Sequence, residues 1–244
     1  MPLRRVRLSA WLTMLSLAAV CQHCSAAIIT RWDFNSNPPD GNVTTGAVLN
    51  MPAVGAGSVN VIGGVTFTYQ AGSSADPAAS DNSSVSTANY PAATSGNKSA
   101  GLEVAVSTAG FSGIIVSYDQ QNTTKASKYW TFQYSTDGTS FTDFAAPYAV
   151  ATAGGFSGNV TTYRFNLSSI PAVNNDPNFK FRIVSTFDPA SGTSYSPTGT
   201  GTTYSGLTGS ALFDYLTVES SPAPEPASLA FAGFAGALLL HRRR

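Results

Sequence analysis

The chain has 244 residues with 13 basic and 13 acidic side chains, and only 11% of it is charged, against about 25% in ordinary soluble domains. Arg4, Arg5, Arg7 and Arg242 to Arg244 lie at the two ends, so the body between them is acidic on balance and lacks the basic density that nucleic-acid binding needs. Cys21, Cys24, His23 and His241 also fall at the ends, which leaves the body without thiol or imidazole and excludes Ser-His-Asp, Cys-His and His/Cys zinc chemistry there.

In chain order, an arginine-bearing start is followed by the apolar run 8–20 and then by Ser25-Ala26-Ala27, small residues suited to a cleavage site. Residues 1–27 read as a secretory signal peptide. The C-x-x-C pair at Cys21 and Cys24 lies within that segment and carries no further reading.

The body, 28–220, opens with the β-type run Ile28–Phe34 and the loop cluster 35–41. Weaker strands are expected at 47–51 and 58–62, and a better one at 65–70. Residues 71–100, rich in Ser, Ala and Asn, read as a long surface excursion with room for one short strand. Clear period-2 alternation follows. Leu102, Val104 and Val106 alternate with Glu103, then Ile114, Val116 and Tyr118 share a face, as do Trp130, Phe132 and Tyr134. Tyr163, Phe165 and Leu167 repeat the pattern, and Phe179, Phe181 and Ile183 alternate with Lys180 and Arg182. The run 211–219 closes the domain with an ambiguous phase at Asp214. Residues 190–210 form a second long loop. No stretch of the body has a helical period, so the expected fold is all-β: one two-sheet antiparallel β-sandwich, jelly-roll-like, with its first and last strands paired. A signal-peptide helix and a short hydrophobic tail helix would flank it.

The segment Trp130–Phe141 holds aromatic strand, Ser-Thr-Asp-Gly turn and aromatic residue in succession, and Asp137-Gly138 suits the positive φ of a hairpin turn. This hairpin is similar to that of discoidin-like galactose-binding jelly rolls and related sugar-binding modules.

The tail, 221–244, joins three unlike parts: Pro224-Glu225-Pro226, the apolar run 227–240, and Arg242, Arg243 and Arg244. As a helix the run spans about 21 Å, short for a bilayer core of about 30 Å. Transient membrane insertion with the arginines on the cytoplasmic side is the expected behaviour. The order of parts resembles the PEP-CTERM sorting signal. That resemblance implies recognition and cleavage near the prolines by an exosortase-type membrane enzyme, with release to the surface or matrix of a Gram-negative bacterium that makes exopolysaccharide.

For function, Trp32, Trp130, Tyr195 and Tyr204 are candidates to stack on sugar rings, the two tyrosines being expected exposed in their Gly/Ser loop. Trp32 and Trp130 also suit a core. Calcium is the ion the body suits best, with oxygen ligands alone, from Asp137, Asp176 and Asp188 with Asn174 and Asn175 beside them, and no cofactor is implied. Carboxylate chemistry rests on Asp33, Glu103, Asp119, Asp143, Asp188 and Asp214, none paired by spacing. The expected protein is therefore exported, non-enzymatic and binds or decorates exopolysaccharide. A carboxylate-based glycan hydrolase or lyase is the alternative, and a structural subunit that self-associates through edge strands is a third reading.

Overall fold

The computed structural model describes residues 26–78, 80–150, 156 and 161–221. Apart from Ala26, Ala27 and Ser221, the signal-peptide and tail expectations, including Pro224 to Pro226 and Arg242 to Arg244, lie outside them; Ala27, expected in the signal peptide, is the first residue of β1. Among the described residues no helix is long and apolar enough to cross a membrane.

The described residues form twelve strands: β1 (Ala27–Trp32), β2 (Ser58–Ile62), β3 (Thr66–Ala71), β4 (Ser83–Ala88), β5 (Gly101–Ala105), β6 (Ile114–Asn122), β7 (Tyr129–Ser135), β8 (Thr142–Asp143), β9 (Tyr148–Ala149), β10 (Thr161–Asn166), β11 (Lys180–Ser185) and β12 (Ala211–Ser220). A single 3₁₀ turn, Pro171–Val173, is the one helical element described. The strands form two antiparallel sheets, so the chain is an all-β sandwich. The first sheet runs β10-β6-β12-β4-β3, with β1 also on β12, and the second runs β2-β5-β11-β7-β8, with β9 also on β7.

Alternation places one side of each strand in the core. Leu102 and Val104, Trp130 and Phe132, and Phe181 and Ile183 come from the second sheet to meet Ile114, Val116, Tyr118, Phe213, Leu216 and Val218 of the first. Phe132 stacks across the sandwich on Phe165, with ring centroids 4.2 Å apart. The expected pairing of first and last strands is found, with Ala27 opposite Ser220 and Trp32 opposite Leu216.

The ambiguous phase at Asp214 has a structural cause. The β12–β6 register slips between Asp214 and Thr217, and Tyr215 has φ 47°. Before this bulge the core residues are Ala211 and Phe213; after it they are Leu216 and Val218. One extra residue reverses the in/out order midway along the strand.

Two expectations fail. Residues 47–51 are not a strand; their segment is held by turns, with Met51 N–H donating to Val48 O at 2.9 Å. Within the supposed surface excursion, β4 is a buried strand paired to both β3 and β12. Its composition, Ser-Ser-Val-Ser-Thr, hides it from any hydropathy pattern. The hydroxyls are satisfied internally: Ser83 Oγ donates to Thr45 O at 2.7 Å and Thr87 Oγ1 to Ala211 O at 2.7 Å. Small side chains also let the segments around them approach closely.

Candidate functional site

The outer face of the second sheet carries three of the four ion pairs among the described residues. Register places Asn60 opposite Glu103, Glu103 opposite Arg182, Arg182 opposite Gln133, and Gln133 opposite Asp143. One polar row therefore crosses five strands, β2, β5, β11, β7 and β8, over roughly 19 Å at about 4.8 Å per step. The alternation that buries Leu102, Val104, Phe132, Phe181 and Ile183 turns these polar residues to the other side of the sheet, where Asn60 and Asp143 are exposed, Glu103 and Arg182 half-buried and Gln133 buried.

The row is pre-ordered by its own bonds. Arg182 donates from Nε and Nη2 to Glu103 Oε2 at 2.8 and 2.6 Å, and Lys180 reaches Glu103 Oε1 at 3.4 Å. Gln133 Nε2 donates to Asp143 Oδ1 at 2.8 Å, while Lys98 pairs with Asp143 Oδ2. Partial burial pushes Asp143 up, but the bonds from Lys98 and Gln133 outweigh it and hold the carboxyl below its ordinary range. The half-buried Phe141 lies against the Arg182 guanidinium, 3.6 Å from ring centroid to Cζ. Two residues along each strand, Ser58, Ala105 and Lys180 line a cavity of about 510 Å³ that the Asp137-Gly138 turn closes.

The aromatic candidates are elsewhere, and none offers a ring to solvent. Trp130 is fully buried, donates from Nε1 to Ser127 O at 2.8 Å, and packs edge-on against Tyr90 and Phe213. Trp32 is 1% exposed and belongs to the same core. Tyr195 and Tyr204, expected exposed, are 4% and 8% exposed and stack on one another at 4.8 Å. Their hydroxyls donate to Gly96 O (2.7 Å) and Pro91 O (2.9 Å), and Tyr195 N–H donates to Ala93 O. The two Gly/Ser-rich loops close on each other through these rings, so the residues that looked like binding aromatics are a clasp. Sequence reasoning missed Phe141, Phe67 and the row itself; the alternation of Glu103 and Arg182 against apolar neighbours was the legible signal, and cross-strand register was not.

The calcium candidates are not brought together. Asp137 Oδ1 accepts from Ser135 Oγ, Thr139 N–H and Ser140 N–H at 2.6 to 2.9 Å, and these bonds, that from Ser140 first, hold it well below the ordinary range. Asp188 accepts from Ala190 N–H and Ser196 Oγ and is lowered chiefly by the latter. Asp176 Oδ1 accepts from Asn178 N–H. Each caps its own loop, and no group of three or more His, Cys, Asp or Glu side chains placed to share an ion occurs among the described residues.

Of the six acids considered for catalysis, Asp119 and Asp214 converge, but inside the protein, while Glu103, Asp143 and Asp188 lie apart from them. Asp119 and Asp214 are directly opposite on β6 and β12, 1% and 0% exposed. Ser73 bridges them, its N–H donating to Asp214 Oδ2 at 2.6 Å and its hydroxyl to Asp119 Oδ2. Thr162 Oγ1 donates to Asp119 Oδ1 at 2.6 Å. Burial, with lesser contributions from Asp76 and Asp119, pushes Asp214 up to about 8. Asp33 ends β1 nearby, half-buried, and is raised first by burial and then by Asp76. Neither Asp119 nor Asp214 meets solvent, so a glycosidic bond has no access to the pair.

No protein-family model and no curated protein sequence matches the chain. Among solved structures, it is similar to the CBM22-1 xylan-binding domain of Paenibacillus barcinonensis Xyn10C (TM-score 0.46, 13% identity, covering 82% of this chain and 98% of that one). The CBM22-2 xylan-binding domain of the same protein gives TM-score 0.42 and 12% identity over 79% and 99%. The N-terminal cellulose-binding domain of Cellulomonas fimi β-1,4-glucanase C gives 0.33 and 11% over 68% and 99%.

Proposed function

We propose that the sandwich is a non-enzymatic module that binds polysaccharide along the Asn60–Glu103–Arg182–Gln133–Asp143 row. The observation that carries this reading is the row itself: planar amide, carboxylate and guanidinium heads in one line across five strands, with Phe141 stacked on Arg182. Paired hydroxyls on a sugar chain match such heads, which are held in place before the ligand arrives and so lose little freedom on binding. The same ion pairs contribute little to the fold, since exposed pairs are worth about 0–1 kcal/mol.

In this reading the terminal segments serve export. The signal peptide is cut after Ala26, since Ala27 already belongs to β1, and 221–244 are the sorting signal on which an exosortase-type enzyme acts, so the module meets exopolysaccharide at the cell surface or in the matrix. Motivation comes from the order of Pro224-Glu225-Pro226, apolar run and Arg242 to Arg244.

The test is affinity electrophoresis of the purified protein against a panel of neutral and acidic polysaccharides. Arg182→Ala should weaken binding about tenfold or more, equivalent to one lost charged hydrogen-bond group, while the melting temperature changes little. Unchanged retention of R182A in every gel that retards the wild type would end the proposal.

A further inference from the structure

The polar row ends at Asn60 on β2, which is an edge strand of the second sheet, and Asn60 also lines a cleft of about 420 Å³ that turns around this edge toward β3 of the first sheet. The cleft differs in character from the row. Its walls are Val48, Val61, Phe67 and Tyr69, and no charged side chain lines it. Phe67 is 38% exposed and Val48 61%, two of the few large apolar side chains this polar surface leaves open.

The wall is built rather than accidental. Phe67 and Tyr69 meet edge to face at 5.8 Å and 85°, Tyr69 hydroxyl donates to Ala47 O, and Tyr69 packs against the core cluster. Segment 46–50 presses onto that ring so closely that a Cβ at Gly46 would stand 2.5 Å from it. Two exposed amides, Asn50 and Asn60, flank the wall, and neither has a hydrogen-bond partner among the described residues. An apolar ring face with unpartnered amides at its rim matches a pyranose, which has apolar C–H faces and a hydroxyl edge.

We propose that this cleft between the β2 and β3 edges is a second sugar subsite, continuous with the row through Asn60, which takes an uncharged pyranose unit of the chain lying across the second sheet. It rests on the polysaccharide reading of the row and adds to it the ligand's course: across the strands from β8 to β2, then over the edge onto Phe67. The uncharged lining is what selects a neutral unit there, since a carboxylated or sulfated sugar would lose its hydration with no cation to replace it.

Isothermal titration of the purified protein with neutral β-linked glucan and xylan oligosaccharides of increasing length tests it, with Phe67→Ala, Asn60→Ala and Arg182→Ala beside the wild type. Sedimentation velocity on each reports the oligomeric state. Phe67 is partly exposed, so F67A should fold. The expected result is that F67A and N60A each lose about tenfold in affinity for the long oligosaccharides, F67A leaves the shortest binding oligosaccharide unchanged, and R182A weakens all lengths. If R182A weakens binding but F67A equals the wild type at every length, the subsite is wrong and the row stands. If R182A changes nothing, the row is wrong and the continuous course fails with it. A wild-type dimer that F67A converts to monomer would also overturn the proposal, because the cleft would then be covered by a second copy.

Discussion

At the scale of single residues the chain spends its polar groups in two contrasting ways. Asp119 and Asp214 face each other beneath Ser73 with no basic partner, whereas Glu103 and Asp143 stand outside, bonded to Arg182, Lys180 and Lys98. The buried pair has a measurable consequence. Asp214 rises from 3.8 to about 8 because burial disfavours its charge, so the folded chain keeps a proton that the unfolded chain releases. Its stabilising effect is whole below about pH 4 and is lost as pH rises through about 8. The melting temperature should therefore fall between about pH 4 and about pH 8, with a loss of stability on the order of a few kcal/mol. Asp214→Asn, which removes the titration and keeps an acceptor for one of the Ser73 and Tyr215 N–H groups that now reach separate carboxylate oxygens, should lower stability but flatten that slope; calorimetry across the range checks it, and an unchanged slope would place the titration elsewhere.

At the scale of elements, β4 and β12 explain what could and could not be read from the chain. Strands such as β5, β7 and β11 alternate large apolar with polar residues, and period 2 alone gave their existence and their faces. β4 offers no such contrast: its serines and threonine are buried because the hydroxyls of Ser83, Ser84 and Thr87 find carbonyls and that of Ser86 accepts from the Gln70 amide, a property of its neighbours rather than of its own sequence. The same limitation misplaced Tyr195 and Tyr204, whose Gly/Ser surroundings indicate a loop but not that a second loop, 91–96, lies over them. The polar row was half legible, since Glu103 and Arg182 could be assigned outward, while their alignment across β2, β7 and β8 depended on register set at the turns. Buried hydroxyls of this kind should be costly to lose. Thr87→Val removes the bond to Ala211 O and the contact with Tyr90 Oη, both 2.7 Å. Chemical denaturation should show a loss of about 1–3 kcal/mol, and a neutral substitution would mean that β4 owes its place to packing alone.

At the scale of the whole molecule, the two outer faces differ as the sheets do. The first sheet has Asp119 and Asp214 buried under Ser73, while the second leaves Asn60 and Asp143 of its row exposed and Glu103 and Arg182 half-buried. This division fits a module in which one sheet serves the fold and the other meets a ligand. Within such a body, with no thiol or imidazole between 28 and 220, cohesion comes from the aromatic interlayer of Phe132, Phe165 and Phe181 and from pairing along β12, which has β6 on one side and β4 then β1 on the other.

The pairing of Ala27 with Ser220 brings the body's two exits within about 5 Å of each other. Sewing them together with a short Gly-Ser linker and reopening the ring at the exposed Gly192 turn should give a circular permutant that still folds and binds. A leash attached at either exit would also hold the same pole of the sandwich, so exchanging one tether for the other would leave its posture toward the surrounding polymer unaltered.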